Sequence, residues 1–164
     1  MEAFEKAETL VRAWLEEECI TRADVYINGL GDVEDARCRR TADGDRRSVR
    51  IDGSAGSAVN KLRRMQVLPG RGAWFYSHLW MEMPKGVLHQ ESDWMCEPDM
   101  GFDEVPLGAY KTELDRYPRD QEFIPDWLRD KVERWRLERG PVVARRVAHL
   151  EEEFRLEGGK YRYP

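Results

Sequence analysis

The sequence predicts an α+β fold in which an antiparallel sheet of about five strands is flanked by an N-terminal, a middle and a C-terminal helix. Three observations support this prediction. Apolar residues recur at helical spacing over residues 1–19. The turn dipeptide Asp43-Gly44 separates two short runs that are typical of strands. Two aromatic-rich runs flank a break at Pro84-Lys85-Gly86, which indicates a second hairpin.

The N-terminal and C-terminal helices are each indicated by an apolar stripe along one side. The first helix covers residues 1–19, and its stripe consists of Phe4, Ala7, Val11, Trp14 and Leu15. The last helix covers about residues 141–157, and its stripe consists of Val143, Val147, Leu150 and Phe154. Two shorter helices are predicted between them, at residues 107–117 and 126–136.

A middle helix is predicted over residues 54–66, with Ser57 as a candidate N-cap. Its inward residues are predicted to be Val59, Leu62 and Met65. Its water-facing residues are predicted to be Lys61, Arg63 and Arg64. Short strands are predicted before it at residues 24–28, 35–41 and 46–51.

The second hairpin is the stretch most informative about function. If its turn is Met83-Pro84-Lys85-Gly86, residues whose numbers sum to 169 face each other across the two strands. One side is then mainly apolar and is expected to be core: Phe75, Leu79, Met81, Leu88 and Trp94. The other side is aromatic and polar, as recognition surfaces often are: Trp74, Tyr76, His78, Trp80, His89, Glu91 and Asp93.

Length and composition favour one domain over residues 1–164. No apolar run approaches the ~20 residues of a membrane span, and the first residues do not resemble a secretion leader. The three cysteines are far apart and lack metal-ligand spacing, which is typical of reduced thiols. We therefore expect a cytoplasmic protein that does not bind membranes.

The net charge of −5 conceals opposed blocks along the chain. Residues 1–36 hold ten acids against three bases, residues 37–71 hold ten bases against three acids, and residues 91–104 hold six acids and no base. A general nucleic-acid binder usually has a basic domain overall. The pattern instead favours docking to one charged protein, with a solvated mixed surface as the simpler alternative.

The histidines and carboxylates of the second hairpin raise the question of chemistry. His78, His89, Glu91 and Asp93 share a side in the expected register, where they could bind a metal or act as acid and base. The alternative, an exposed or partner-facing patch, is favoured because three histidines will often share a sheet side by chance. Cys96 lacks an obvious histidine base. No catalytic residue, metal ligand or cofactor is therefore assigned.

The acidic segment after the hairpin has a more specific interpretation. Carboxylates beside aromatic anchors can cover a basic active site, the acids steering association and the rings providing desolvated contact. The candidate residues in this segment are Glu97, Asp99, Asp103 and Glu104. An ordinary acidic surface loop is the alternative.

Five segments in a particular order carry a resemblance to a known family. They are Lys61-Leu-Arg-Arg-Met65, Pro69-Gly-Arg-Gly-Ala-Trp-Phe75, Trp94 with Glu97-Pro98, Leu114-Asp-Arg-Tyr-Pro-Arg119, and Ile124-Pro-Asp-Trp-Leu128. Together they resemble the YezG-like immunity proteins, which are small bacterial α+β proteins found beside polymorphic toxins. The resemblance covers about residues 58–132, and neither the N-terminal third nor the last helix takes part in it.

The resemblance implies a cytoplasmic antitoxin that binds and neutralises a cognate toxin domain, such as a nuclease or an NAD-hydrolysing enzyme, without catalysis of its own. It also implies architectural roles for Gly72, Pro118, Arg119, Pro125 and Trp127, with Arg119 as a buried or half-buried ion-pair partner. The chain departs from the family where Met95 follows Trp94 in place of an aspartate. Two other hypotheses remain open, a metal-dependent hydrolase using His78, His89 and Glu91, and a housekeeping protein-binding module.

Overall fold

The α+β fold with an antiparallel five-stranded sheet is confirmed by a computed structural model of the chain. The structure describes residues 2–51, 53–101 and 104–139, so the predicted helix at 141–157 and Asp103 lie outside the described residues. The elements in order are α1 (Glu2–Glu17), β1 (Arg22–Leu30), β2 (Val33–Ala42), β3 (Asp45–Val49), α2 (Gly53–Met65), β4 (Tyr76–Glu82), β5 (Val87–Asp93), α3 (Leu107–Arg116) and α4 (126–139). None of the helices in these ranges combines the length and apolar character that crossing a membrane requires.

The sheet joins two hairpins through its central strand. The strand order is β3-β2-β1-β4-β5, and every neighbouring pair is antiparallel. The β4–β5 register is the one predicted, with His78 opposite Glu91 and Trp80 opposite His89. The β2–β3 turn is also confirmed, and the positive φ angles of Asp43 (50°) and Gly44 (77°) suit a tight hairpin.

One side of the sheet is covered by α1 and α2 and forms the larger hydrophobic core. The buried members of the predicted α1 stripe all lie in this core, namely Ala7, Val11, Trp14 and Leu15. Their counterparts on the sheet include Val25 and Ile27 of β1 with Leu79 and Met81 of β4. Because side chains alternate along a strand, this packing leaves the other residues of β1 and β4 on the opposite side.

Helix α2 corrects three sequence expectations. It begins at Gly53, so Ser57 is an exposed residue inside the helix and does not cap its start. Met65, expected to face inward, is 67% exposed. Arg63, expected to face water, is completely buried. Helical spacing places Arg63 beside Leu62 and Val59 on the inner side, and a charged side chain can remain there only with a partner.

A second, smaller core joins α3 and α4 to the end of the sheet. Its buried residues are Leu30, Phe75, Met100, Tyr110, Leu128 and Val132. Trp127, predicted to be architectural, packs its ring against Phe75 at a centroid distance of 4.8 Å and donates its indole N–H to the Met95 carbonyl at 2.8 Å. This core holds the segment that leads into β4.

The partner of Arg63 is Glu113 of α3, and both side chains are fully buried. The Arg63 Nη2 lies 2.7 Å from Glu113 Oε2, and its Nε donates to the Trp74 carbonyl at 2.8 Å. The same Glu113 oxygen accepts the Gly31 N–H at 2.7 Å. One carboxylate therefore connects α2, α3 and the β1–β2 turn.

Arg119 is the third member of this buried network, as the sequence resemblance implied. Its Nη2 lies 3.4 Å from Glu113 Oε1, and its guanidinium lies 4.1 Å from the Phe75 ring centroid. It donates to the carbonyls of Trp94 at 3.0 Å and of Ala73. Burial lowers the pKa of Arg119, and Glu113 partly opposes that change.

We expect Glu113→Ala to destabilise the protein strongly. Removing one partner of a buried pair leaves the remaining charges uncompensated, which costs about 3 to 5 kcal/mol of unfolding free energy. Asp115→Ala on the same helix removes the exposed partner of Lys111 and should cost less than about 1 kcal/mol. Urea unfolding of both variants makes the comparison. Equal losses would contradict the role given to Glu113.

A second pair of variants tests whether Arg119 packs against Gly72. Both Gly72 and Gly44 have a left-handed backbone, with φ of 76° and 77°. A Cβ on Gly72 would lie 2.8 Å from Arg119 Nε, whereas a Cβ on Gly44 would meet nothing within 4 Å. Gly44→Ala should therefore cost only the backbone term of about 1 to 2 kcal/mol, and thermal unfolding should show a clearly larger loss for Gly72→Ala.

Candidate functional site

The sheet side away from α1 and α2 carries the aromatic and polar residues, and we call it the ring face. It is formed by alternate residues of β1, β4 and β5, namely Asp24, Tyr26, Tyr76, His78, Trp80, His89, Glu91 and Asp93. Its rings are half-buried on β1 and β4, and its β5 side chains are exposed. Six of the eleven residues predicted to bind a partner therefore share one surface, as the hairpin pattern indicated.

Four rings of this surface form a stacked row across three strands. Tyr26 and His78 are nearly parallel with centroids 4.5 Å apart, and Trp80 and His89 are nearly parallel at 5.1 Å. His78 and Trp80 lie 4.8 Å apart with their planes tilted by 30°. These separations are close to the spacing of neighbouring strands, so the rings stand side by side on the sheet.

The stacking determines what the ring face can offer to another molecule. Tyr26, His78 and Trp80 each contact at least one neighbouring ring, so part of their flat surface is already covered and their edges remain for a partner. Single-stranded nucleic acids are usually held by bases lying on open ring surfaces. Ring edges with a hydroxyl or N–H at the tip suit contacts with a protein surface better.

Asp24 lies at the centre of the ring face and holds His78 in place. Arg22 donates to both carboxylate oxygens of Asp24, at 2.9 and 2.8 Å, and His78 Nε2 lies 3.0 Å from Oδ1. Burial alone would raise the pKa of Asp24, but the hydrogen bonds from Arg22 and His78 outweigh it and lower this pKa. The Asp24 carboxylate thus stays ionised and fixes the His78 ring.

The expectation that Trp74 belongs to the ring face is wrong. Trp74 is completely buried in the larger core, on the same side as Leu79. The strand begins only at Tyr76, so side-chain alternation does not extend back to Trp74. Its carbonyl accepts from Arg63, and its indole N–H donates to Gln66 Oε1 at 2.9 Å. These two hydrogen bonds, with residues 11 and 8 positions earlier in the chain, turn the ring inward.

The acidic residues predicted as contacts lie in several different places. Glu91 is exposed on the ring face. Asp93 is also on this face, but its Oδ1 accepts the N–H groups of Met95 and Cys96 at 2.7 and 3.1 Å and so stabilises a turn. Glu97 lies 3.7 Å from Lys131 Nζ, and Asp99 lies 3.8 Å from Arg37 Nη1.

Glu104 lies apart from the ring face. It lines a depression of about 210 Å³ together with Lys131 and Arg134 of α4. Glu97 and Asp99 line this depression and also the one that borders β1 and β2, whereas Glu104 lines only the depression beside α4. Of the three, Glu97 and Asp99 are therefore the ones placed to act together with the rings.

The alternative of a metal or acid–base cluster gains little from the geometry. His78 uses Nε2 for Asp24, a partner that the sequence did not indicate. Within the described ranges, no three His, Cys, Asp or Glu side chains are grouped so that they could hold a metal ion. Burial raises the pKa of the Cys96 thiol to about 11, so a thiolate nucleophile at this position is disfavoured at neutral pH.

The sequence interpretation did not assign Asp24, Tyr26 or the neighbouring arginines of β2 to this surface. A signal for β1 was present, because Asp24, Tyr26 and Asn28 alternate with the apolar Val25 and Ile27. Nothing local indicated that β1 lies beside β4. That pairing crosses more than forty residues of chain and places Tyr26 directly opposite His78.

A comparison with protein-family models finds no match for this chain, and a comparison with curated proteins finds none either. The function is therefore inferred from the geometry of the ring face and from the sequence resemblance.

We expect the stability contributed by Asp24 to depend on pH. The pKa of Asp24 is lower in the folded state than in the unfolded state, so its contribution is present above the ordinary aspartate pKa of about 4. It is lost as the pH falls through the folded-state pKa. The difference in unfolding free energy between wild type and Asp24→Asn, measured by urea unfolding, should therefore be largest at neutral pH and shrink in acid. A difference that grows in acid would contradict this assignment.

Proposed function

We propose that this chain is a cytoplasmic immunity protein that binds a cognate bacterial toxin domain and neutralises it by covering its active site, without catalysing a reaction itself. The observation that carries the proposal is the ring face, where a row of aromatic edges lies on the sheet side opposite α1 and α2. The resemblance to YezG-like immunity proteins over residues 58–132 points to the same function.

The ring face has the properties of a protein-binding surface. Residues such as Trp and Tyr dominate binding energy where they lie near the centre of an interface. Trp80 and Tyr26 occupy such a position, with strands on both sides. The stacked rings and the Asp24 hydrogen bonds restrict side-chain motion before binding, which reduces the entropy lost when a partner docks.

The charges beside the rings indicate the kind of toxin that would fit. Nucleases and NAD-hydrolysing enzymes act on phosphate-bearing substrates, so their active-site clefts favour positive charge. Glu91 projects from β5 next to the rings and could enter such a cleft, and Asp93, although it stabilises a turn, adds negative charge beside it. The inhibitor would then block the substrate by occupying the site that attracts phosphate.

A protein-binding module with a housekeeping partner would use the same surface. The two functions are distinguished by the neighbouring gene, because an immunity protein is encoded next to its toxin. The hydrolase alternative is distinguished by metal analysis of the purified protein, where stoichiometric metal lost on changing His78 or His89 would favour an enzyme.

Trp80→Ala tests the proposed interface. We expect it to weaken binding to the protein encoded by the neighbouring gene by about 30-fold or more, as loss of a central aromatic anchor typically does. Isothermal titration calorimetry measures the affinity, and circular dichroism checks that the variant is folded. Trp135→Ala is the matched control, because Trp135 lies on α4 near Lys111 and Arg139 and not on the sheet.

The expected result is weakened binding for Trp80→Ala and near wild-type binding for Trp135→Ala. If Trp80→Ala and Trp135→Ala both bind with the affinity of the wild type, the interface lies elsewhere on the molecule. Absence of any binding or inhibition by the wild-type protein would reject the immunity function.

A further inference from the structure

The side of the sheet that carries the rings also carries a charge gradient that runs across the strands. One row of cross-strand neighbours is Arg37 on β2, Tyr26 on β1, His78 on β4 and Glu91 on β5. The next row runs from Arg39 through Asp24 and Trp80 to His89. Both rows begin with a base on β2, and the first row ends with an acid on β5; the second row has Asp24 in its middle and ends with His89.

The basic edge extends onto β3. Arg46 lies opposite Thr41, and Ser48 lies opposite Arg39, so both share the side of Arg39. We call Arg37, Arg39 and Arg46 the arginine strip. Neighbouring strands are about 4.8 Å apart, so the strip lies about 14 to 19 Å from the acids of β5.

The members of the arginine strip are not equally available. Arg37 Nε lies 2.8 Å from Asp35 Oδ2, and its Nη1 lies 3.8 Å from Asp99, so Arg37 connects β2 to the loop after β5. Arg39 and Arg46 are exposed, and in the described part of the chain neither forms an ion pair. Their guanidinium groups are therefore available to form ion pairs with a partner.

A depression gives access to this edge. It has a volume of about 820 Å³ and lies between β2 and the loop of residues 96–99. Its walls include Tyr26, Tyr76 and Arg39, together with the acids Glu97 and Asp99. Arg39 is exposed, so it lies on a part of the surface that a partner sitting on the rings can reach.

We propose that Arg39 and Arg46 bind an acidic patch of the partner protein that lies about 14 to 19 Å from its basic cleft, and that this second contact sets the orientation of docking. The inference rests on the proposed function and specifies the partner's surface. With the acids of β5 as the only charged contact, the partner's basic cleft could dock on them in many rotational orientations. With bases at the opposite edge, rotating the partner by half a turn brings like charges together, and their repulsion disfavours that orientation.

A single-stranded nucleic acid is the other class of ligand that an arginine strip beside rings suggests. Two observations disfavour it. Each ring already has part of its flat surface against a neighbouring ring, and Glu91 and Asp93 would repel a backbone that continued across the sheet.

The test compares two double variants with the same change in charge. Arg39→Glu with Arg46→Glu reverses the free bases of the arginine strip. Arg40→Glu with Arg47→Glu reverses the charges of their chain neighbours. These two residues lie opposite each other on the other side of the same strands. Association with the protein encoded by the neighbouring gene is measured by stopped flow or surface plasmon resonance at low and high salt, with circular dichroism as a check on folding.

We expect the first double variant to associate about tenfold or more slowly at low salt, with the difference reduced at high salt. The association rate of the second double variant should stay within about threefold of wild type, because its changes lie on the opposite side of the sheet. Any effect of net charge is common to both variants, so the difference between them reports the contact itself. Should the glutamate variant fail to fold, Arg39→Gln with Arg46→Gln removes the same contacts without adding repulsion and should show a smaller decrease in the same direction.

Three outcomes separate the inference from the function on which it rests. If the wild-type protein does not bind the neighbouring gene's product, both are rejected. If it binds and Glu91→Lys weakens binding, but the two arginine double variants behave alike, the inference is rejected and the proposed function stands. If a twelve-nucleotide single-stranded DNA binds the wild-type protein at low micromolar concentration, and the variant with Arg39 and Arg46 changed to glutamate no longer binds it, the arginine strip binds nucleic acid and the inference is overturned.

Discussion

The carboxylate of Glu113 is the interaction on which the rest of the structure depends. It lies between the buried guanidinium groups of Arg63 and Arg119, which come from segments on either side of the second hairpin. Buried charges of this kind are tolerated only when paired and hydrogen-bonded. The two arginines therefore extend to backbone carbonyls at the start of β4 and the end of β5, and Glu113 itself accepts the N–H of Gly31 at the end of β1. Three of the five strands are fixed at the same end by one polar cluster.

This cluster determines where the ring face begins. Arg63 holds the carbonyl of Trp74, and Arg119 stacks on Phe75, so the chain enters β4 with both of these rings turned into the two cores. Regular alternation starts only at Tyr76. From there His78 and Trp80 reach the other side of the sheet and stack with residues of β1 and β5. This fixed start of β4 favours a surface that is proposed to inhibit by fitting against another protein. The side chains are already ordered before binding, so less conformational entropy is lost when the partner docks.

The two sides of the sheet have different physical roles. The part of the sheet that α1 and α2 cover is mainly apolar, with Ser77, Ser92 and the paired amides of Gln66 and Gln90 as polar groups, and its burial supplies hydrophobic stabilisation. The ring face has polar tips, a gradient of charge and a histidine held by Asp24. Its features are those of recognition, and the proposals made for it need only contact and charge.

The sequence by itself determined the hairpins, because turn residues and strand alternation act over a few neighbouring positions. The opposition of His78 to Glu91 and of Trp80 to His89 could be deduced from the turn at Pro84 alone. Most of the α1 stripe was also predictable from periodicity. The tertiary structure decided that Trp74 turns inward, that Arg63 is buried and that Tyr26 lies beside His78. The burial of Arg63 depends on Glu113, 50 residues away, and the position of Tyr26 depends on β4. The inward turn of Trp74 depends on hydrogen bonds with Arg63 and Gln66 at the end of the preceding helix. Local patterns state which residues share a side but not which other element lies against it.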